Sequence, residues 1–513
     1  MKIKITLFLF LICTSFFAQS PPIEWAKCYG GTSGENAYSV IQTKDTGYIV
    51  VGQASSNNGT VIGQKGMGDI WLTKLNIYGS LQWQKCYGGT LEEFGSKVLQ
   101  LTDGGYIMVG CTKSNNIDIS GNHGSWDGVV VRTDINGNLL WQKCYGGTLN
   151  DYLYSIAITP DGGYLLYGYT FSNDGDVIGN HGGSDLWIIK VNSLGLIQWQ
   201  KCYGGPGGEG TNLGSPLVNH NSGYVMVGNS SSSTGDLTNN KGITDVWVVN
   251  IDTIGNIIWQ NNFGGTGTDF GRAVQFDKDS NIIVLADINS IDIDVTNNYG
   301  QQDAWLLKIS KSGNLIGQKN YGGAGYDGAY TLINSQNDGF IFVGVSDSYN
   351  FDALGNHGGR DVWIVKLDSN LNKQWHHCYG GIGTEQAYSI INTKDNGYAF
   401  CGYATTNNGD VSGCTTSGPG DLWVVKLVGS VGIEELINKN KVICFPNPTN
   451  NYLSIKLENS EVRNYEIFDV SGRIISKGIL TNEIISVENF HSGIYLINFE
   501  TESGNYFAKF IKE

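Results

Sequence analysis

Acidic side chains recur at one fixed place in this sequence, four residues after the second glycine of a Gly-Gly pair. A group of carboxylates gathered in one region could coordinate Ca²⁺ or create an electronegative funnel. Each carboxylate could instead accept hydrogen bonds from the backbone N–H groups of its own glycine turn. The repetition favours this structural interpretation, because a residue present in every repeat usually serves the repeat. The seven residues are Glu35, Glu93, Asp151, Glu209, Asp269, Asp327 and Glu385.

The Gly-Gly pairs belong to a longer motif, WQKCYGG at residues 83–89, which returns in recognisable form along most of the chain. Consecutive copies lie 58, 58, 58, 60, 58 and 58 residues apart. A fixed period of this size is typical of a repeat array or a propeller. The copies begin at Trp25, Trp83, Trp141, Trp199, Trp259, Gly317 and Trp375.

The first complete repeat reads as four β-strands, which we place at residues 37–43, 48–54, 69–76 and 81–88. Turns that contain glycine separate the strands, because glycine adopts the positive φ that tight hairpins require. The 72 glycines and 8 prolines of the chain also favour turns between strands over helices. Four antiparallel strands of this length form one propeller blade.

A second marker, the D-x-W pattern, gives the same number of repeats. The strand predicted at 23–30 precedes the first repeat, whereas the last repeat ends at 421–427 without a fourth strand. We therefore predict an all-β fold with a seven-bladed β-propeller at residues 19–427, whose N-terminal strand closes the last blade and protects the sheet edges. In such a ring the acidic residues lie near one mouth of the central channel, beside the long loops between second and third strands. The marker aspartates are Asp69, Asp127, Asp185, Asp245, Asp303, Asp361 and Asp421, and Val129 replaces the tryptophan after Asp127.

Other repeated side chains also have two interpretations. The motif tryptophans either pack against the neighbouring blade or offer platforms for sugar rings, and their presence in six blades favours packing. The motif cysteines are predicted to be buried free thiols, because equivalent positions in different blades lie beyond the ~7 Å Cα separation that a disulfide allows. They are Cys28, Cys86, Cys144, Cys202 and Cys378. The loop histidines lack the spacing of zinc ligands, so turn residues are favoured over a metal site; they are His123, His181 and His357.

Positions that break the repeat are the best places to look for individual function. Decay of unneeded repeats explains them equally well. They are Trp126, the insertion at 206–216, Asn261, Asn262, Gly317 and Asn320.

The N-terminus has the pattern of a secretory signal peptide, which we place at residues 1–18. Lys2 and Lys4 precede an apolar run at 5–17, and Ala18 follows it. The run is too short for a membrane-spanning helix, and Ile12 before Cys13 disfavours a lipoprotein. No transmembrane segment is therefore expected. The formal charge of −15 over 513 residues argues against a nucleic-acid partner.

The repeat pattern stops after Leu427. Residues 428–441 read as a linker, and alternating apolar positions between 453 and 511 predict a small C-terminal β-sandwich. The segments FPNPTNNYLSI at 445–455, YEIFDVSGRII at 465–475, SGIYLINF at 492–499 and KFIK at 509–512 resemble the type A C-terminal sorting domain of the type IX secretion system. We assign residues 442–513 to this domain, with the motif residues Pro446, Asn447, Pro448, Gly472, Gly493, Tyr495 and Lys509.

This resemblance implies export by the type IX secretion machinery across the outer membrane of a Bacteroidetes-type bacterium. The protein is then secreted or held at the outer-membrane surface. The repeats are also similar to regions found ahead of such tails, some of them labelled endoglucanase-like, and faintly to quinoprotein propeller repeats. Neither likeness supplies a catalytic residue, because no matching catalytic motif is present.

Three functions compete. The leading hypothesis is a non-enzymatic propeller that binds a glycan or a surface protein. A polysaccharide hydrolase is the alternative, but it needs two carboxylates in different environments about 5–10 Å apart, and the repeated acids show no such asymmetry. Motifs of serine or zinc hydrolases are missing from the sequence. A structural adhesin is the third. No cofactor is expected, and Ca²⁺ is the one possible exception.

Overall fold

The computed structural model describes residues 20–211, 213–214, 217–220, 223–336, 338–415, 419–429, 442–457, 462–469, 473–480, 484–501 and 504–513. The chain divides into two compact units, one ending at Val428 and the other beginning at Gly429. Within the described residues the one helix is a 3-10 turn at Phe351–Ala353, so no described helix could cross a membrane. The predicted signal peptide, residues 430–441 of the predicted linker and Gly472 lie outside the described residues.

The described part of residues 23–427 forms seven antiparallel sheets, numbered here in chain order. The first contains β2 (Glu35–Gln42), β3 (Tyr48–Ala54), β4 (Asp69–Leu75) and β5 (Leu81–Tyr87). The second contains β6 (Glu93–Gln100), β7 (Tyr106–Thr112), β8 (Asp127–Thr133) and β9 (Leu139–Tyr145). The third contains β10 (Asp151–Ile158), β11 (Tyr164–Thr170), β12 (Asp185–Val191) and β13 (Ile197–Tyr203).

In the fourth sheet the first strand is broken in two. This sheet contains β14 (Glu209–Gly210), β15 (Leu217–His220), β16 (Gly223–Ser230), β17 (Asp245–Asp252) and β18 (Ile257–Phe263). The fifth contains β19 (Asp269–Phe276), β20 (Ile282–Ile288), β21 (Asp303–Ile309) and β22 (Leu315–Tyr321). The sixth contains β23 (Asp327–Asn334), β24 (Phe340–Ser346), β25 (Asp361–Leu367) and β26 (Lys373–Tyr379). The seventh contains β27 (Glu385–Asn392), β28 (Tyr398–Ala404), β29 (Asp421–Leu427) and β1 (Ile23–Tyr29).

The N-terminal strand belongs to the last sheet. Strand β1 pairs with β29 in antiparallel register, with Cys28 opposite Trp423. The first strands of the sheets contact one another in cyclic order, and β2 also contacts β27 and β28. The apolar core lies between successive sheets: one cluster joins Tyr48 and Trp71 of the first sheet to Val424 of the seventh. The predicted pairing of the N-terminal strand is therefore confirmed.

The WQKCYGG motif holds the next sheet in place. A Cβ on Gly137, which has φ +75°, would lie 2.7 Å from the Trp83 ring, so the tryptophan packs directly on this hairpin glycine. The hydroxyl of Tyr87 donates a hydrogen bond to the Gly137 carbonyl at 2.5 Å. Trp25 packs on Gly79 in the same way. The packing interpretation of the motif tryptophans is confirmed at these positions.

The free-thiol prediction is wrong for one motif cysteine. Cys28 forms a disulfide with Cys414, and their Cα atoms are 4.9 Å apart. The prediction compared only equivalent positions in different repeats, whereas Cys414 lies in a loop of the same sheet that β1 completes. The other four motif cysteines are buried free thiols as predicted; they are Cys86, Cys144, Cys202 and Cys378.

The C-terminal unit contains two antiparallel sheets that share one apolar core. One has β30 (Val442–Phe445), β31 (Tyr452–Leu457) and β34 (Ile484–Ser486). The other has β32 (Val462–Asp469), β33 (Ile474–Ile479), β35 (Gly493–Thr501) and β36 (Gly504–Lys512).

Two residues of the predicted sorting motif hold elements of this C-terminal unit together. The Asn447 side chain donates to the Lys509 carbonyl at 3.0 Å and accepts from the Ile511 N–H at 2.9 Å. It therefore fixes the Pro446–Pro448 segment to β36. Tyr495 stacks on Phe510, with 5.4 Å between the ring centroids, inside the core.

Candidate functional site

The seven repeated carboxylates are buried, with at most 1% of each side chain exposed. Every one of them accepts a hydrogen bond from the N–H of the second glycine of its Gly-Gly pair, at 2.6–2.9 Å. The other oxygen reaches the end of the second strand of the same sheet or the loop after it: Glu93 Oε1 accepts from the Ser114 N–H at 3.1 Å, and Glu209 Oε1 from the Ser230 hydroxyl at 2.7 Å. Each carboxylate thus ties the turn that enters a sheet to a loop of that sheet, as the structural interpretation expects.

A second buried carboxylate faces each of these residues across the first glycine of the pair. A Cβ on Gly88 would lie 2.5 Å from Glu93 Oε2 and 2.7 Å from Asp69 Oδ1, the D-x-W aspartate of the preceding sheet. Burial raises the pKa of Asp69 to about 6 and that of Asp303 to about 7. Two carboxylates from adjacent sheets therefore meet at a point where only glycine fits.

The predicted loop histidines bind these D-x-W aspartates. His181 Nδ1 lies 2.6 Å from Asp185 Oδ2, and its Nε2 lies 4.0 Å from Asp236 in the next sheet. Lys65 occupies the same position in the first sheet and lies 2.7 Å from Asp118. These residues bridge neighbouring sheets. Within the described residues no three His, Cys, Asp or Glu side chains are grouped to hold a metal ion, and Ca²⁺ binding at the carboxylates stays a prediction.

One position that differs between repeats lies three residues after each of the seven repeated carboxylates. In six sheets the strand register skips this residue, so a β-bulge lies there. A bulge changes the direction of a side chain, which is why bulges are frequent beside binding sites. The bulge residues are Tyr38, Ser96, Tyr154, Arg272, Tyr330 and Tyr388. In the fourth sheet the first strand is interrupted between Gly210 and Leu217 at this place.

Four of the six bulge residues, together with Phe94 and Leu213, line one cavity of about 330 Å³. It is lined by side chains from the first, second, third, fourth, fifth and sixth sheets. The lining residues are Tyr38, Phe94, Tyr154, Leu213, Arg272 and Tyr330. All six are partly exposed, in contrast to the buried carboxylates.

Aromatic rings form a continuous arc around this cavity. Tyr38 contacts Phe94 at 6.0 Å and Tyr388 at 5.2 Å between ring centroids. Tyr388 contacts Tyr330 at 5.0 Å, and Phe94 stacks on Tyr154 at 6.3 Å. The Tyr38 hydroxyl is protonated at neutral pH, as an ordinary tyrosine is, and can donate a hydrogen bond; burial raises its pKa further, to about 12. The arc offers flat apolar faces edged with hydroxyl groups.

Arg272 closes the arc together with Leu213. Its Nε donates to Asp287 Oδ2 at 2.7 Å, and both side chains are at least 89% buried. Asp287 lies in β20 at a position where the third and seventh sheets carry Tyr169 and Tyr403. The basic and the acidic residue therefore depart from the repeat together, as a pair.

This cavity was not predicted from the sequence. Two of the predicted repeat-breaking positions lie beside it: the Trp126 ring contacts Phe94 at 5.6 Å, and the insertion at 206–216 contributes Leu213. The informative signal is the position three residues after each ring carboxylate. It reads Tyr, Ser, Tyr, Asn, Arg, Tyr and Tyr, so a tyrosine recurs there in four repeats and a basic residue stands there in one.

Comparison with known structures finds distant similarity only. A puromycin hydrolase is 10% identical over 94% of this chain and 62% of its own, with a TM-score of 0.45. PorZ of Porphyromonas gingivalis, a surface component of the type IX secretion system, is 11% identical over 91% of this chain and 69% of its own, with a TM-score of 0.27. A Bacteroides caccae protein of unknown function is 13% identical over 60% of this chain and 89% of its own, with a TM-score of 0.32. No curated protein matches the sequence.

The C-terminal unit has a family match. Residues 443–513 match the model of the secretion system C-terminal sorting domain, the region in which Asn447 fixes the proline segment to β36 and Tyr495 stacks on Phe510. Such a tail implies interaction with the type IX machinery and export to the cell surface or the extracellular space. The last 71 residues of this chain are thus a type IX secretion system C-terminal sorting domain.

Proposed function

We propose that this protein is an exported, non-enzymatic binding protein whose repeat region is a seven-bladed β-propeller with a glycan site in its central cavity. The cyclic contacts between first strands and the pairing of β1 with β29 support the ring. In this proposal a signal peptide at 1–18 starts export, residues 19–427 form the propeller, and a linker at 428–441 leads to the sorting domain at 442–513.

The observation that carries the glycan proposal is the aromatic cavity. Sugar rings present apolar C–H faces that pack on aromatic rings, and hydroxyl groups that need hydrogen-bond partners. The arc from Tyr330 through Tyr38 to Tyr154 provides the faces, and the tyrosine hydroxyls and Arg272 provide polar groups. A volume of about 330 Å³ suits one or two sugar units.

The composition of the lining favours binding over hydrolysis. Glycoside hydrolysis requires two carboxyl groups on opposite sides of the bond that breaks. The described lining residues include no Asp or Glu. The neighbouring Asp287 is occupied by Arg272 and by the Ala329 N–H at 2.7 Å.

A glycan array followed by calorimetry on the chain from residue 20 onward tests this function. We expect saturable binding of a glycan, reduced at least tenfold in Tyr38→Ala because the central ring of the arc is lost. Tyr78→Ala is the matched control, since Tyr78 is a 71% exposed tyrosine on a turn of the same sheet. Equal affinity of the Tyr38→Ala and wild-type proteins, or binding to no glycan at all, would refute the proposal. Release of reducing sugar would establish the hydrolase instead.

A further inference from the structure

Arg272 is held in one orientation by its neighbours. Its Nε donates to Asp287 Oδ2 at 2.7 Å, and Asp287 Oδ1 accepts the Ala329 N–H of the next sheet at 2.7 Å. The guanidinium carbon lies 5.7 Å from the Phe270 ring centroid and 5.6 Å from that of Tyr330. With 11% of the side chain exposed, the guanidinium has little freedom to turn.

The outer edge of this guanidinium has no hydrogen-bond acceptor among the described residues. Among the described residues, Asp287 is the single acceptor of an Arg272 hydrogen bond, and it takes only the Nε proton. A guanidinium also has N–H donors on both Nη atoms, and burying them without acceptors costs free energy. Arg272 lines the cavity, so these donors are available to whatever occupies it.

A carboxylate fits such an edge best. The two Nη atoms of a guanidinium form a planar fork that matches the two oxygens of a carboxylate, which gives two parallel hydrogen bonds. The cavity walls next to Arg272 are aromatic, and cations flank these aromatic residues. Lys113 Nζ lies 4.3 Å from the ring centroid of Trp126, which contacts Phe94, and Arg360 lies 4.5 Å from that of Tyr326. Lys113 and Arg360 are each paired with an acid, Glu92 at 3.0 Å and Asp347 at 3.6 Å, so the attraction for a carboxylate rests on the Nη edge of Arg272.

We propose, resting on the glycan-binding function above, that the cavity selects an acidic sugar. The carboxylate of a uronic acid unit binds the Nη edge of Arg272, and the sugar ring packs on the tyrosine arc. A guanidinium already paired with one aspartate is suited to a ligand group with a single negative charge rather than to a doubly charged phosphate.

Calorimetry with matched oligosaccharides tests this selectivity. Galacturonate oligomers are compared with galactose oligomers of the same linkage and length, with methyl-esterified galacturonate and with sulfated galactose. We expect the wild-type chain from residue 20 onward to bind galacturonate at least tenfold more tightly than the other three. Arg272→Lys keeps the charge but loses the fork, and should lose most of this preference. Lys278→Met, which removes an exposed lysine outside the cavity lining, is the control and should keep the preference.

The double variant Arg272→Gln, Asp287→Asn provides a second test, because it leaves no unpaired buried charge if Arg272→Lys fails to fold. It should bind galactose and galacturonate oligomers equally. Tyr38→Ala separates the two proposals. Equal or preferential wild-type binding of galactose, abolished by Tyr38→Ala, overturns the acidic-sugar inference and leaves glycan binding intact. Preference for sulfated galactose also overturns the inference, and binding of none of the four ligands overturns both.

Discussion

The first glycine of each Gly-Gly pair is required because two carboxylates from different sheets approach its Cα. Around Gly88 the Cβ of any other residue would lie 2.5 Å from Glu93 Oε2 and 2.7 Å from Asp69 Oδ1. The ring carboxylates are therefore part of the junction between sheets. Their repetition is explained by the repeat itself, with no ligand needed.

Replacing Gly88 tests this view of the junction. Gly88→Ala is expected to lower the free energy of unfolding by about 1–3 kcal/mol, because the buried Glu93 and Asp69 carboxylates must shift to admit the methyl group. Gly317→Ala is the control, since its Cβ would meet only the Lys308 side chain at an ordinary 3.7 Å. Denaturant unfolding measures both. Equal stability of the two variants would mean that the carboxylates move apart freely.

At the scale of the strand, the glycine turns of the repeats allowed the strand bounds to be predicted from the sequence. Strands expected at 37–43, 48–54, 69–76 and 81–88 are found at Glu35–Gln42, Tyr48–Ala54, Asp69–Leu75 and Leu81–Tyr87. Glycine turns fix the strand ends, so the sequence pattern places them within about two residues. In the C-terminal unit, β30 and β33 were not predicted, because their apolar residues do not alternate over a long run.

The directions in which the bulge side chains point could not be predicted from the strand pattern. Alternation assigns side chains to faces only while the register is regular, and the extra residue at each bulge breaks it. Tyr38, Tyr154 and Arg272 therefore appeared to be ordinary strand residues. Predicting the cavity that they line would require the relative positions of six sheets, which the sequence pattern does not give.

The junctions between sheets should respond to pH through the D-x-W aspartates. Asp303 is the clearest case, because Tyr299 stands where the second and fourth sheets place His123 and Lys241, and burial raises the pKa of Asp303 to about 7. The folded protein then binds this proton more tightly than the unfolded chain does. The stabilising effect is complete below the unfolded-state pKa of about 4 and is lost as the pH rises through 7.

Asp303→Asn is expected to match the wild type below about pH 4 and to exceed it at pH 8 by roughly 1–3 kcal/mol, with the difference growing as the pH rises to 7. The asparagine mimics the protonated acid and has no charge to desolvate. Thermal unfolding across this pH range measures the difference. A constant gap between Asp303→Asn and the wild type across this range would contradict the assignment.

At the scale of the whole repeat region, one covalent bond joins its two ends. Cys28 and Cys414 are 386 residues apart in sequence and link β1 to the sheet that it completes. A disulfide that closes so long a loop restricts the unfolded chain and stabilises the folded one by about 2–5 kcal/mol. Such bonds persist in oxidising compartments, which agrees with the export that the sorting domain implies.

Cys414→Ser is expected to lower the midpoint of thermal unfolding and to remove its dependence on a reducing agent. Cys86→Ser is the control, because Cys86 is a free buried thiol at the position equivalent to Cys28. This control should keep the reductant dependence of the wild type. Unfolding that is insensitive to reductant in the wild type would show that the bond adds no stability.

The pairing of β1 with β29 also sets an order of events during synthesis. Strand β1 is made first, but its hydrogen-bonding partner β29 is made only after the other six sheets. A nascent or truncated chain that contains β28 but ends before Asp421 carries two unpaired strand edges, one on β1 and one on β28. Strand β1 therefore stays unpaired until the repeat region has been synthesised as far as β29. An incomplete chain has exposed strand edges, which proteases can cleave more readily than the complete fold.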